Sequence, residues 1–325
     1  MAEYKSTNSS FHIFKPSPRL SKYIEFYYQG ESESVDNVDG YARVEAIYLP
    51  LNAVEMALSY HGSSVRLNGS GKKHESFCSI IGTHSIQSNC FIDKITKVNK
   101  SVHVRFKPGG FYKIFGIYQS ELKNIFYGFE DVFGNEGRLF EDRINNSKSL
   151  RQRIEITEEF ILRQLHKKSK QPKNDITSAA VDLIENRGGS IKVNQIAGQL
   201  NISERTLRWE FLNRIGQSPK EYLETFRFRH ILNEMLSRKS KVGNKGFNWA
   251  DLALNYGYYD QAHFINEFKA ATSITPDFFL KNEGKTFIKS VNFIIFLNKP
   301  SITSPALDSF KDDFVQIEKL GSFSR

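Results

Sequence analysis

The chain has 325 residues, 45 Lys and Arg against 36 Asp and Glu, and a net charge of +9. That length exceeds one small module and fits two domains or slightly more, and the basic balance suits a polyanionic partner. The N-terminus lacks a charged-then-apolar signal segment, no apolar run approaches about 18 residues, and only Cys78 and Cys90 are present. A secreted disulfide scaffold and a membrane span are therefore excluded, and a cytoplasmic protein with reduced thiols is expected.

Residues 18–28 (Pro-Arg-Leu-Ser-Lys-Tyr-Ile-Glu-Phe-Tyr-Tyr) are rich in aromatics and read as a helix or a strand. From about 41 to 107 short β-rich runs alternate with polar turns, giving candidate strands at 43–49, 54–60, 64–67, 77–82, 91–97 and 102–106. The alternation Val102-His-Val-Arg-Phe predicts a sheet with one solvated face. A helical region then begins, with Phe111, Ile114 and Phe115 on one face and Leu122, Ile125 and Phe126 on another. Leu150 to His166 is the clearest helix of this half, with Ile154, Phe160, Ile161 and Leu165 as its apolar side.

Two constellations in this half invite a chemical reading. The segment 105–111 (Arg-Phe-Lys-Pro-Gly-Gly-Phe) opens a helix with a glycine pair, as an anion loop would. It lacks the Gly-Lys-Ser/Thr of a phosphate loop, so a structural turn is expected. His74, Cys78, His84 and Cys90 match no tight zinc spacing, so core thiols are the expectation there.

A polar stretch at 169–174 containing Pro172 sets a boundary. It divides an N-terminal domain (1–168, β-rich to 107 and helical after it) from a helical domain at 175–285. A C-terminal extension at 286–325 is expected to be partly disordered, with Val291–Leu297 as a candidate extra strand. The fold class expected is α+β, a β-rich domain with helices followed by an all-α domain.

The helical domain carries the most specific signal in the chain. Val193, Ile196, Ala197 and Leu200 form one amphipathic stripe, Asn201 supplies a left-handed turn, Ser203 caps the next helix, and Leu207 with Phe211 anchor it. The plan recurs with Leu252, Ala253 and Tyr256 as stripe, Gly257 at the turn, Asp260 as cap, and Phe264 with Phe268 as anchors. These are two helix-turn-helix units in tandem, an arrangement that can set two helices in successive major grooves. At about 100° per residue, Arg205 and Trp209 point away from the core with Arg208 on the flank, and Ala262 and Asn266 do so in the second unit. Gln261 and His263 lie near the start of that second helix. Arg suits guanine edges, and Asn or Gln suits adenine edges.

The segment 200–279 resembles the DNA-binding domain of the AraC/XylS transcriptional regulators. The matching pieces are residues 201–211, 216–222, 227–229, 257–264, 267–269 and 275–279, about a third of the chain with its links. The resemblance implies seven helices, reading helices at 203–213 and 260–270, and a linker helix at 219–236. It implies base contacts from Arg205, Arg208, Trp209, Gln261, Ala262, His263 and Asn266, and Ser203, Thr206 and Lys269 join them as expected DNA-binding residues, Lys269 through phosphate. Asn266 stands where the family commonly carries Arg, Ala262 offers no hydrogen bond, and the loop 237–247 is longer than usual. The second unit is therefore expected to contribute less base specificity. The run Ser-Lys-Tyr-Ile-Glu-Phe-Tyr at 21–27 and Arg-Phe-Lys-Pro-Gly-Gly at 105–110 resemble an uncharacterised N-terminal domain of some AraC-type regulators.

The expected function is sequence-specific binding of double-stranded DNA to regulate transcription. The N-terminal domain would sense a small-molecule effector or mediate homodimerisation, and RNA polymerase is a further candidate partner. An enzyme is the rival class, since one AraC-related type carries an alkyl-transfer repair domain with a zinc-held cysteine. Neither Cys78 nor Cys90 has that context. No catalytic residue, metal or cofactor is expected. A degenerate interaction module is a third class, and Arg205 with Arg208 argues against it.

Overall fold

The computed structural model describes residues 8–33, most of 41–123, and 126–167, 175–242 and 248–281 apart from 273. The extension 286–325, with its candidate strand, lies outside the described residues.

The N-terminal strands are β1 (Asn8–Phe14), β2 (Ile24–Glu33), β3 (Tyr41–Tyr48), β4 (Glu55–His61), β5 (Ser64–Leu67), β6 (Lys73–Ser76), β7 (Cys78–Ile81), β8 (Cys90–Thr96), β9 (Val98–Phe106) and β10 (Phe126–Gly128). They form an antiparallel six-stranded sheet in the order β1-β2-β9-β4-β7-β10 and a four-stranded sheet β3-β8-β5-β6. The aromatic run ending at Tyr28 is thus a strand from Ile24 onward. Phe126, placed by the sequence on a helix face, instead sits on a short edge strand paired to Ile81. Gly128 stops that strand and Phe129 starts a helix, so three residues are too few to display a period of two.

Four helices follow: α1 (Gly110–Phe115), α2 (Phe129–Phe133), α3 (Asn135–Asn145) and α4 (Leu150–Lys167). They cover one face of the larger sheet. Tyr27, Met56, Leu58, Ile80, Val102, Val104 and Phe106 pack there with Phe111, Phe129, Phe140 and Phe160 in one buried cluster. The rings interlock; Phe140 and Phe160 lie 4.6 Å apart and Phe129 and Phe140 5.0 Å apart. Glu158 on α4 ties the sheet to the helix layer, accepting from Tyr27 Oη at 3.1 Å and from the Ser17 amide at 2.8 Å.

The opposite face is not solvated, contrary to what the alternation at 102–106 suggested. Ser101, His103 and Arg105 are all buried. Several of their polar atoms are met inside the protein, although Arg105 Nη1 meets no hydrogen-bond partner among the described residues. Arg105 Nε donates to Glu55 Oε1 at 2.6 Å, Tyr28 Oη donates to Glu55 Oε2 at 3.0 Å, and Ser101 lies 2.9 Å from His103 Nε2. Glu55 comes from the neighbouring strand β4 and Tyr28 from β2, while Ser101 and His103 pair within β9, so the alternation reads as half-exposed when its polar positions are buried.

Gly109 and Gly110 serve as the structural turn expected of 105–111. Gly109 takes φ 74°, and a Cβ on Gly110 would stand 2.2 Å from the Tyr23 carbonyl oxygen. Cys78 is a buried thiol with Sγ 3.9 Å from the Ser59 carbonyl; His74, His84 and Cys90 have no described side chains. Among the described residues no group of three His, Cys, Asp or Glu side chains could hold a metal, and no helix is long and apolar enough to cross a membrane.

Glu141 on α3 offers a pH handle on this layer. Burial, then the charges of Glu130, Asp142 and Asp131, push its carboxyl up to about 7. A raised carboxyl contributes full stability below its ordinary value and loses it as pH rises through the folded value. Glu141→Gln should therefore melt at about the wild-type temperature near pH 5 and above it at pH 8. A gap that does not widen with pH would remove Glu141 as the cause.

The C-terminal part consists of α5 (Ile176–Asn186), α6 (Val193–Gln199), α7 (Glu204–Arg214), α8 (Pro219–Val242), α9 (Trp249–Asn255), α10 (Gln261–Thr272) and α11 (Pro276–Lys281). These are the seven helices the resemblance implied, though α8 runs six residues past the expected 236 into what was read as loop. No Gly or Pro interrupts 220–242, so nothing in that run ends a helix before Gly243. The first half of α8 (Tyr222, Leu223, Phe226) closes one core with Ile184, Ile196, Leu207 and Phe211. Its second half (Phe228, Ile231, Leu232, Met235) closes another with Leu252, Tyr258, Phe264, Phe268 and Phe279. One helix thus carries both units.

Candidate DNA interface

The first unit is built as its sequence dictates. Asn201 adopts φ 53°, a conformation Asn tolerates, and turns the chain between α6 and α7. Ser203 Oγ accepts from the Thr206 amide at 3.0 Å and lies 2.8 Å from Thr206 Oγ1, capping α7. Leu207 and Phe211 are fully buried beneath it. With those anchors fixed, Arg205, Thr206, Arg208 and Trp209 stand on the exposed side. Two guanidiniums and an indole therefore share little more than one turn of one helix, facing away from the core.

Glu210 faces inward instead. It is buried, pairs with Arg214 Nε at 2.7 Å and accepts from Thr177 Oγ1 at 3.3 Å, tying α7 to α5. This ion pair holds α7 in place and leaves Arg205 and Arg208 as outward basic charges of the helix, beside the exposed Glu204 in its first turn.

The second unit repeats the geometry. Gly257 takes φ 76°, and Asp260 Oδ1 accepts from the His263 amide at 2.7 Å as the cap of α10. Phe264 and Phe268 are buried anchors; Gln261, Ala262, His263, Asn266 and Lys269 are exposed. The outward face differs from that of α7. His263 is drawn toward Glu267, with Nε2 3.7 Å from Oε2, and its ring meets Tyr258 at 5.3 Å. Glu267 also accepts from Tyr258 Oη at 2.6 Å. Lys269 is the basic residue of the helix's last turn.

All ten residues singled out by sequence thus lie on α7, on α10 or at their caps. Sequence reading missed Tyr259, which is 87% exposed immediately before Asp260. It also missed the part played by the N-terminal domain. Tyr118, beside a 3-10 turn at Gln119–Glu121, meets the Trp209 ring edge-on at 6.3 Å. Ser120 Oγ donates to Asn213 Oδ1 at 3.3 Å, and Arg214 lies over the Tyr112 ring at 5.4 Å.

Further bonds join the two parts. Lys113 Nζ reaches Ser178 Oγ at 2.6 Å and Asp175 Oδ2 at 2.5 Å, and Lys123 Nζ reaches Glu221 Oε1 at 2.6 Å. Burial would push the Asp175 and Glu221 carboxyls up, yet Lys113 and Lys123 respectively hold them below the ordinary range. Asn52 Nδ2 donates to the Tyr222 carbonyl at 3.3 Å, and Ile86 enters the core of the second unit. Sequence separations of 62 residues and more hide such contacts from any local pattern.

Residues 196–282 match a family model described as a helix-turn-helix domain, and residues 12–126 match a domain of unknown function (DUF6597). A comparison with curated proteins returns no match. Among solved structures, the chain is similar to ToxT from Vibrio cholerae, at 14% identity and TM-score 0.44 over 85% of this chain and 98% of that one. It is also similar to the C-terminal domain of AraT, a response regulator from Geobacillus stearothermophilus, at 20% identity and TM-score 0.30 over 34% and 88%. The AraC-like transcriptional activator CuxR aligns at 14% identity and TM-score 0.27 over 70% and 95%. At these scores the structural likenesses stand as resemblances only. The matched helix-turn-helix model, the seven helices and the two capped and anchored units show that the C-terminal part of this chain is a helix-turn-helix DNA-binding domain of the AraC type.

Proposed function

We propose that the chain reads two adjacent major-groove segments of double-stranded DNA, with α7 in one and α10 in the other. The observation that carries this reading is the repetition of one geometry. In each unit an αL turn and an acceptor cap start a helix whose i, i+4 aromatic or aliphatic anchors are buried, leaving a polar face outside. The two units hang on opposite halves of α8, whose 24 residues span about 36 Å. Successive major-groove faces recur about every 34 Å, so one helix can carry readers for both.

Arg205, Arg208 and Trp209 are the base readers of the first segment, with Ser203 and Thr206 at the helix start serving backbone phosphate. Gln261, Ala262, His263 and Asn266 face the second segment, and Lys269 holds the backbone there. The N-terminal domain senses a small-molecule effector and works on the DNA-binding units through the contacts that join them. ToxT itself has been solved bound to (E)-4-(8-methylnaphthalen-1-yl)but-3-enoic acid and to an unsaturated fatty acid. We read the chain as a cytoplasmic regulator rather than an enzyme, with RNA polymerase and a second copy of itself as partners of the DNA-bound state.

The test is selection of bound sites from a random duplex pool. Base preference should be sharp over the segment under α7 and diffuse over the segment under α10. Ala262 has no hydrogen-bonding group, and His263 is already engaged by Glu267. Backbone contacts position without specifying, so α10 would still fix the register. Asn266→Arg should then create a guanine preference in the second segment. Two equally sharp segments in the wild-type selection would overturn the asymmetry, and recovery of no motif would overturn sequence-specific reading.

A further inference from the structure

Trp209 is half exposed, an unusual state for an indole on a helix surface. Its exposed half is not loose. The edge-on ring of Tyr118 bounds it on one side at 6.3 Å and an interplanar angle of 73°. Tyr118 is itself stacked on Tyr112 at 5.7 Å and 16°, and Tyr112 lies beneath the Arg214 guanidinium at the end of the same helix α7. Asn213 Nδ2 donates to the Trp209 carbonyl at 2.9 Å, while its Oδ1 accepts from Ser120. Gly216, at φ 90°, lets the chain pass so close that a Cβ there would stand 2.5 Å from Thr83 Oγ1 and 2.9 Å from the Gln119 carbonyl. The N-terminal domain therefore grips the C-terminal half of α7 from its indole to its last turn.

The grip leaves the N-terminal half untouched. Arg205 and Arg208 remain exposed, and half of the Trp209 surface still faces outward. A cover would have buried the arginines; this contact selects one orientation of the indole and leaves its outer edge open. Side chains on a free helix surface exchange among staggered rotamers, and an edge-to-face partner favours one of them.

We propose that Tyr118, on its Tyr112 support, is a positioning residue for DNA reading: it fixes the Trp209 ring and thereby sets the base preference at the C-terminal end of the first reading helix. This rests on Trp209 being a reader. The sensor domain then contributes to specificity without touching a base, and movement of the 112–120 segment changes which bases are preferred rather than only how tightly DNA is held.

The experiment compares base-preference profiles of the full-length wild type with those of Trp209→Ala, Tyr118→Ala, Tyr118→Phe and the Trp209→Ala/Tyr118→Ala pair. Trp209→Ala should flatten preference at a short stretch of the first segment. Tyr118→Ala should flatten the same stretch and weaken specific binding about two- to tenfold, with binding to a scrambled duplex unchanged. Tyr118→Phe, which keeps the ring, should retain the wild-type profile, and the pair should be no worse than Trp209→Ala alone. A changed Trp209→Ala profile beside an unchanged Tyr118→Ala profile overturns the positioning role alone. An unchanged Trp209→Ala profile overturns the reader assignment and the proposal with it. Tighter binding of Tyr118→Ala to every duplex, or an equal loss on every duplex, also overturns it, the first because the ring then blocks DNA and the second because its role is then structural.

Discussion

Arg105→Ala should lower the free energy of unfolding by about 3–5 kcal/mol, because it strands a buried carboxylate. Arg105 has no exposed surface and its partner Glu55 is 3% exposed. The guanidinium meets Glu55 through Nε and Nη2, and Tyr28 Oη supplies the second donor to the carboxylate. Tyr28 is held in turn by stacking on His103 at 4.4 Å and 10°. Burial alone would push the Glu55 carboxyl up, but Arg105, then His103, keep it below its ordinary value. A depressed carboxyl contributes stability above its unfolded value and loses it as pH falls through the folded one. Without Arg105 the burial effect is left unopposed, and Glu55 should fold more readily protonated. The deficit of Arg105→Ala should therefore be large at pH 8 and shrink toward pH 5 in urea denaturation. A paired Arg105→Met/Glu55→Leu change should recover most of the loss, since an apolar pair leaves no charge to compensate. A deficit under about 1 kcal/mol, or one independent of pH, would sink this account of the polar sheet face.

The same pair shows where sequence reading stops. Residues 102–106 alternate apolar and polar, and the inference of one wet face fails because Arg105 finds Glu55 fifty positions away. Phe126 was misplaced for a related reason: its strand exists only because β7 offers an edge, and three residues carry no period of their own. The tandem units were legible because their signals are local. Asn201, Ser203, Gly257 and Asp260 act within four residues of the turns they make, and Leu207/Phe211 and Phe264/Phe268 repeat one spacing. The extension of α8 through Val242 has a local signal too, a run from 220 to 242 without Gly or Pro, but the charge of its second half makes it resemble a solvated loop. The grip on Trp209 was not. Tyr118, Ser120 and Tyr112 look like ordinary surface residues of a helical stretch, and only the fold brings them to the end of α7.

Arg205→Ala and Arg208→Ala should each reduce discrimination between the selected site and a scrambled duplex by about 1–3 kcal/mol. Both side chains stand exposed on α7 while its buried anchors Leu207 and Phe211 keep the backbone in place, so neither change should unfold the domain. The two lie three residues apart and would read neighbouring base pairs, which makes their losses non-additive. Lys269→Ala is the contrasting case. It sits in the last turn of α10 and would touch phosphate, so binding should weaken alike on every duplex and the salt dependence should flatten by about one unit of slope. Affinities for both duplexes, measured across a salt series with melting temperatures as a check on folding, separate the two behaviours. If Arg205→Ala and Arg208→Ala lose equally on specific and scrambled DNA and flatten the salt slope as Lys269→Ala does, they are backbone contacts. Base reading by the first unit would then fall to Trp209 alone.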